Sequence, residues 1–125
     1  MKYLTTPSAR FAVGLVCGAG ISAVDNFAFK GEVSPIIIVA LLLVAAASVG
    51  AIWGRRALPA VLAIWACHPL AHVFKHALNL PDTLHPNTYG SILILAIFSL
   101  VVTAIGAGCG LAMHRLIVSG EKSAK

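Results

Sequence analysis

The chain has 125 residues, of which 59% are hydrophobic and only 10% are charged, and its formal net charge is +5. A soluble domain needs about a quarter charged residues to cover its surface, so this composition excludes an ordinary water-soluble protein. The apolar residues lie in long runs without the alternation of β-strands, which predicts an all-α membrane protein whose main partner is the lipid bilayer. The basic residues are not clustered with aromatic ones, so no nucleic-acid partner is expected.

Four apolar runs are each close to the roughly 20 residues that a helix needs to span the bilayer. The predicted helices cover residues 10–29, 35–53, 57–80 and 89–113. The fourth helix is expected to extend to about Val118, with a short cytoplasmic tail over 118–125. Short connections make successive helices antiparallel neighbours, so the expected fold is a single-domain, up-down four-helix bundle.

The basic residues predict how these helices are oriented. Seven of the nine Lys and Arg residues lie in the amino-terminal region, the second connection and the carboxyl-terminal tail: Lys2, Arg10, Arg55, Arg56, Arg115, Lys122 and Lys125. The first and third connections, 30–34 and 81–87, hold only Lys30 together with Glu32 and Asp82. The positive-inside rule therefore places both termini in the cytoplasm, in a bacterial-type inner membrane. The first run is interpreted as a retained helix and not as a cleaved signal peptide.

Small residues one helical turn apart indicate where helices approach closely. The first helix contains Gly14-x-x-x-Gly18, and the fourth contains Gly106-x-x-x-Gly110. Such spacing lets backbones come together where lipid gives no hydrophobic drive for association. Two interpretations stay open: contacts within the bundle, or the seam of a homo-oligomer.

The third helix is unusual because it carries ionisable residues. At 100° per residue, His68, His72, Lys75 and His76 share one face and rise from the middle of the segment toward its outer end. Pro69 removes a backbone hydrogen bond and is expected to kink the helix beside His68. Asp82 and His85 continue the series in the outer connection.

Asp25 and Asn26 of the first helix lie at a depth close to that of Lys75 and His76, which suggests that Asp25 pairs with one of these two. The sequence thus predicts an outward-facing pocket for a proton or small solute, formed by Asp25, Asn26, His68, His72, Lys75 and His76. Alternatively, the outer residues only extend to the membrane interface, which accounts for Lys75 and His76 but not for His68.

Metal, haem and catalytic sites are less well supported by the sequence. His68, His72 and His76 have the spacing of a weak metal site, but Lys75 on the same face repels a cation. A haem would need a second histidine at the depth of His68, and His114 lies at the cytoplasmic end. Cofactors therefore stay unassigned. No nucleophile lies beside a base, so an enzyme is not expected. The cysteines lack CxxC spacing and are interpreted as packing residues: Cys17, Cys67 and Cys109.

The opening of the first helix, Arg10-Phe11-x-Val13-Gly14, resembles that of the small GtrA-like flippases for lipid-linked sugars. The resemblance covers a few residues and implies flippase activity. Asp25 lies later than that family's acidic position, and the aromatic-rich ends of its second and fourth helices are absent. The fluoride channels and small multidrug exporters share the size of this chain but not its motifs, so no family is assigned.

Three functions are consistent with these observations. The first is a small transport or permeation protein that forms a homo-oligomer, with His68 as its central residue and Asp25 as the counter-charge. The second is a non-catalytic accessory subunit of a larger membrane complex, which stabilises its partners or a bound cofactor or pigment. The third and weaker one is a flippase. Purification of the chain together with unlike chains would distinguish the second from the first.

Overall fold

A computed structural model of the chain describes residues 5–28, 34–80 and 88–124. These residues form three uninterrupted helical segments, Pro7–Phe27, Pro35–Ala77 and Tyr89–Ser123, and contain no strand. Each segment is long and apolar enough to cross a membrane. The prediction of an all-α chain whose helices are long and apolar enough to cross a membrane is therefore confirmed for the described residues.

The prediction of four separate helices is not supported, because the expected loop at residues 54–56 is itself helical. The middle segment consists of α2 (Pro35–Trp53), a 3-10 turn (Gly54–Ala57) and α3 (Leu58–Ala77). The flanking segments are α1 (Pro7–Phe27) and α4 (Tyr89–Ser123). A connection this short satisfies its backbone groups most simply with the i to i+3 hydrogen bonds of a 3-10 turn. The connections predicted to hold Lys30, Glu32, Asp82 and His85 lie outside the described residues.

The start of α1 lies three residues before the predicted one. Thr6 is the N-cap, and its Oγ1 accepts a hydrogen bond from the Ala9 backbone N–H at 3.2 Å. Pro7 occupies the first turn, where its missing N–H has no cost. This start places Arg10 inside the helix. In α3, helical structure continues through Pro69, and the kink expected there stays a prediction.

α4 is longer than predicted, since it continues past residue 113 to Ser123 and includes most of the expected tail 118–125. Thr88 and Ser91 form a capping box at its start. Hydropathy marks the end of an apolar run, but a helix ends only where a cap or proline stops it, and none occurs before Ala124. The 35 residues of α4 span about 52 Å, well beyond a hydrocarbon core of about 30 Å.

α1 lies against α3 through backbone contacts. Gly14 faces the backbone of Ala60, and Gly18 faces Ala63 and the side chain of Cys67. Residue numbers increase together on the two helices, so α1 and α3 run in the same direction. A Cβ at Gly14 would overlap the Ala60 backbone, which is why this position requires glycine.

α2 lies against α4 in the same way. Gly106 faces Leu43 and Ala46, and Gly110 faces the backbone of Ala47. These two helices also run in the same direction. The close contacts at the four predicted packing glycines, Gly14, Gly18, Gly106 and Gly110, therefore all lie within the chain.

The turn between α2 and α3 is fixed by α4. Gly54 has a φ of 56°, a left-handed conformation that favours glycine. A Cβ there would lie 2.7 Å from the His114 ring. His114 Nδ1 in turn donates to the Ala51 carbonyl at 2.8 Å, which satisfies one of the orphan carbonyls at the end of α2.

The interior is small and the apolar surface large. The largest fully buried side chains are those of Leu42, Ile64, Ser99 and Thr103. In the most apolar window of each helical segment, only 28% of the residues are buried. Most of the apolar surface therefore faces outward, as lipid requires and water does not permit.

We expect Gly14→Ala and Gly110→Ala to destabilise the protein by about 1–3 kcal/mol, because each added Cβ meets the backbone of the facing helix. Gly20→Ala and Gly108→Ala are matched controls on the same two helices, with no atom within 4 Å of the added Cβ. The controls should be neutral or stabilise the helix by up to about 1 kcal/mol. Unfolding in detergent micelles measures both effects, and equal losses in variants and controls would contradict the described register.

Candidate functional site

The candidate site lies at the far end of the seam between α1 and α3. Gly14, Gly18 and Ser22 are buried on one face of α1. Asp25 follows eleven residues after Gly14, which returns it to within about 20° of the same face. The close approach of the two backbones thus carries the Asp25 carboxylate toward α3.

Asp25 meets two histidines of α3. The Nε2 of His72 lies 3.0 Å from the Asp25 Oδ2, and the Nδ1 of His68 lies 3.7 Å from the same oxygen. His68 and His72 are 4% and 7% exposed, and the Asp25 side chain is 18% exposed. The two rings are edge to face, with centroids 5.3 Å apart. Asp25 is therefore hydrogen-bonded to His72, and its expected pairing with Lys75 or His76 stays a prediction.

Lys75 and His76 have other contacts. The Lys75 ammonium donates to Asn26 Oδ1 at 2.7 Å, and the Asn26 amide donates to the Ser22 carbonyl at 2.7 Å, which fixes its orientation. The His76 ring lies edge to face with Tyr89 of α4, with centroids 4.4 Å apart. Five of the six predicted pocket residues are thus brought together between α1 and α3, and His76 contacts α4 instead.

Asp25, His68 and His72 have the arrangement of a metal site. Each offers one ligand atom, and the three atoms lie within 4.8 Å of one another. In a tetrahedral zinc site with bonds of about 2.0–2.1 Å, neighbouring ligand atoms are about 3.3 Å apart. The observed 3.0 and 3.7 Å lie on either side of that separation. The ligand set differs from the predicted three histidines, because Asp25 takes the position expected for His76.

The site is deep in its helix. His68 is the eleventh of the 20 residues of α3, about 15 Å from either end. Its Nδ1 and the Oγ of Ser22 are buried without a hydrogen-bond partner among the described residues. Nearly all buried polar atoms in proteins are hydrogen-bonded, so such orphan atoms point to a site that takes a ligand.

A second polar region, which the sequence did not predict, lies at the opposite end of α1. Arg10 is 7% exposed, and its Nη1 donates to the Arg56 carbonyl at 3.3 Å while Nη2 donates to the Thr5 carbonyl. It lines a cleft of about 450 Å³. We call this the arginine cleft, and its basic lining residues are Arg10, Arg55, Arg56, His114 and Arg115. The Thr6-Pro7 start signal could have revealed that Arg10 lies inside the first turn of α1.

Comparison with known proteins does not assign the chain to a family. No protein-family model matches it, and neither does any curated protein or solved structure. The function is therefore inferred from the two polar regions of the chain itself.

A double-mutant cycle tests the pairing at the site. Asp25→Ala and His72→Ala should be coupled by about 1–2 kcal/mol in unfolding free energy, because each removes the partner of a charge-assisted hydrogen bond. Asp25→Ala and His76→Ala should show no coupling, because His76 contacts Tyr89. A larger coupling to His76 than to His72 in detergent unfolding would contradict the described register of α1 and α3.

Proposed function

We propose that this chain is a small membrane transport protein and that Asp25, His68 and His72 bind its transported ion, a divalent transition-metal cation. The observation that carries the proposal is the convergence of one carboxylate and two imidazoles, with 3.0 and 3.7 Å between their ligand atoms, midway along an apolar helix. Ionisable groups at such a depth are costly and usually serve ion or substrate pathways.

The donor set suits an ion of the zinc type. Imidazole nitrogen and carboxylate oxygen are both common ligands of Zn²⁺, and three protein ligands leave a fourth coordination position open. An open position lets an ion enter and leave, which a transport site requires. The His72 Nε2 now donates to Asp25, so ligation by this nitrogen requires the neutral ring to carry its hydrogen on Nδ1 instead.

Lys75 adjusts the affinity of the site. Its ammonium donates a hydrogen bond to Oδ1 of Asn26, the residue that follows Asp25 in α1. A positive charge here opposes a bound cation, and it keeps binding weak enough for release, as conduction demands. The burial of residues along α3 supports access of the ion to the site from the end where Lys75 lies. His68 and His72 are buried, whereas Lys75 and His76 are partly exposed.

We further propose four membrane spans with both termini in the cytoplasm of a bacterial-type inner membrane. Support comes from the parallel pairs α1 with α3 and α2 with α4, which an up-down bundle requires. Further support comes from the arginine cleft, because its basic residues come from α1, the 3-10 turn and α4. In this orientation the Asp25 site opens to the outside.

Metal binding by the purified protein tests the main proposal. We expect wild-type protein to bind Zn²⁺ in calorimetry and to give the visible spectrum of tetrahedral coordination with Co²⁺. Asp25→Ala and His68→Ala should each weaken binding by about tenfold or more. His76→Ala is the matched histidine control and should bind like wild type. Proteoliposomes should take up the ion with the same dependence on the variants.

The neighbouring charge gives a test of opposite sign. Lys75→Met should tighten Zn²⁺ binding by on the order of tenfold, because a like charge is removed. Lys122→Met, in the last turn of α4, is the control and should change nothing. Unchanged zinc affinity in His68→Ala would refute the metal site. If the proteoliposomes show proton flux and no metal uptake, the protein is a transporter whose substrate is the proton.

The orientation is tested with reporters fused to each terminus in turn. Both fusions should be active with a reporter that functions only in the cytoplasm, and both should be inactive with one that requires export. Opposite results at the two termini would indicate an odd number of spans and exclude the proposed topology.

An accessory subunit is the second candidate, and one observation favours it. Ala104, Gly108 and Ala112 form an exposed row one turn apart on α4, and nothing lies within 4 Å of a Cβ placed at Gly108. Such rows are typical of helix association in membranes. An accessory subunit should co-purify with unlike chains from its native membrane, whereas a transporter should purify as a homo-oligomer.

A further inference from the structure

The arginine cleft lies at the end of the molecule opposite the Asp25 site. We infer that this cleft binds the phosphate group of an anionic phospholipid. The inference is independent of the proposed transport function, because no residue of the Asp25 site takes part in it.

The cleft concentrates positive charge without compensation. Arg10, Arg55, Arg56 and Arg115 all line it, and no acidic residue among those described does. Over residues 5–28, 34–80 and 88–124, no carboxylate lies within 4.0 Å of these guanidinium groups, and the ion pairs of Asp25 involve His68 and His72. Within the described residues the four guanidinium groups therefore share one cavity without a counter-charge, which favours an anion that several of them can contact.

Arg10 shows that the cleft is more than a cluster of topology signals. A positive-inside signal requires only that a basic residue lie near the membrane surface. Arg10 is instead more than nine-tenths buried, and its Nε has no hydrogen-bond partner among the described residues. Its Nη1 is fixed by the Arg56 carbonyl at 3.3 Å, so the guanidinium is held in place at the cleft. An orphan guanidinium N–H in a rigid fork is a donor for a phosphate oxygen.

The apolar part of the lining favours a lipid over free phosphate. Ile52 and Trp53, the last residues of α2, border the cleft, and Ile52 is 64% exposed. Tryptophan at the end of a spanning helix is typical of the bilayer interface, where headgroup phosphates lie. Guanidinium groups beside an exposed aliphatic chain match a phosphate head with an acyl tail. Basic pockets between helices on the cytoplasmic side commonly bind such headgroups.

Native mass spectrometry of the detergent-purified full chain tests the assignment. Phosphatidylglycerol and phosphatidylcholine are titrated separately, and wild type should bind phosphatidylglycerol more tightly. Arg10→Lys keeps the charge but loses the planar fork, and it should weaken phosphatidylglycerol binding by about tenfold. Lys122→Gln removes a charge from α4 outside the cleft and should leave binding unchanged.

A second variant tests the inference even if Arg10→Lys does not fold. Arg55 and Arg115 are exposed side chains, so Arg55→Gln with Arg115→Gln should retain the helix content and melting temperature of wild type. The affinity of this double variant for phosphatidylglycerol should still fall by about tenfold or more. Equal binding by wild type and by this double variant would overturn the inference. Inorganic phosphate is titrated in a further experiment. If the protein binds phosphate with the same dependence on the variants but does not bind phosphatidylglycerol, the lipid assignment is overturned in favour of a soluble anion.

Discussion

The near contact of the α1 and α3 backbones is the constraint on which the polar site depends. Gly14 and Gly18 place no side chain of α1 against α3, so the α1 backbone comes into contact with Ala60, Ala63 and Cys67. Asp25 has a short side chain, and it meets His72 at 3.0 Å only because the seam is already closed where Asp25 leaves it. Lipid gives helices no hydrophobic reason to associate, so dispersion contacts at the glycines and hydrogen bonds at Asp25 hold the pair together.

The two ends of this helix pair have opposite electrostatic characters. At one end the partly buried Asp25 carboxylate contacts two imidazoles, while the Lys75 ammonium is held by the neutral Asn26 amide. At the other end the guanidinium groups of the arginine cleft have no carboxylate beside them in the part of the chain that the structure describes. The proposed cation site and the proposed anion site therefore lie at opposite ends of the pair, and the apolar seam separates them.

The helical segments could be predicted because hydropathy is a property of consecutive residues. Helix register is not, because it depends on which residues of two distant segments meet. The sequence placed Asp25 and Asn26 level with Lys75 and His76. Asn26 does bind Lys75, whereas the hydrogen bond of Asp25 goes to His72, about one helical turn earlier in α3. A difference of one turn is enough to change the partner of a carboxylate.

The other differences have separate causes. The Thr6-Pro7 cap was present in the sequence, but hydropathy began the first helix at Arg10 and so left that residue on the surface as a topology marker. The 3-10 turn at Gly54–Ala57 depends on contact with His114, which is distant in sequence. The chemistry of Asp25, His68 and His72 is visible in the sequence. That these three residues lie together depends on the contact between α1 and α3.

The length of α4 has a mechanical consequence. α1, α2 and α3 have 21, 19 and 20 residues, so each is about 30 Å long and matches the hydrocarbon thickness. α4 exceeds that thickness by about 22 Å, or roughly three quarters, and the excess includes the exposed apolar residues Leu116, Ile117 and Val118. This hydrophobic mismatch favours tilt of α4 or an amphiphilic contact of its last turns with the headgroup layer. His114 holds the turn at Gly54, so a tilt of α4 in a bilayer would act on the contact that fixes the α2–α3 connection.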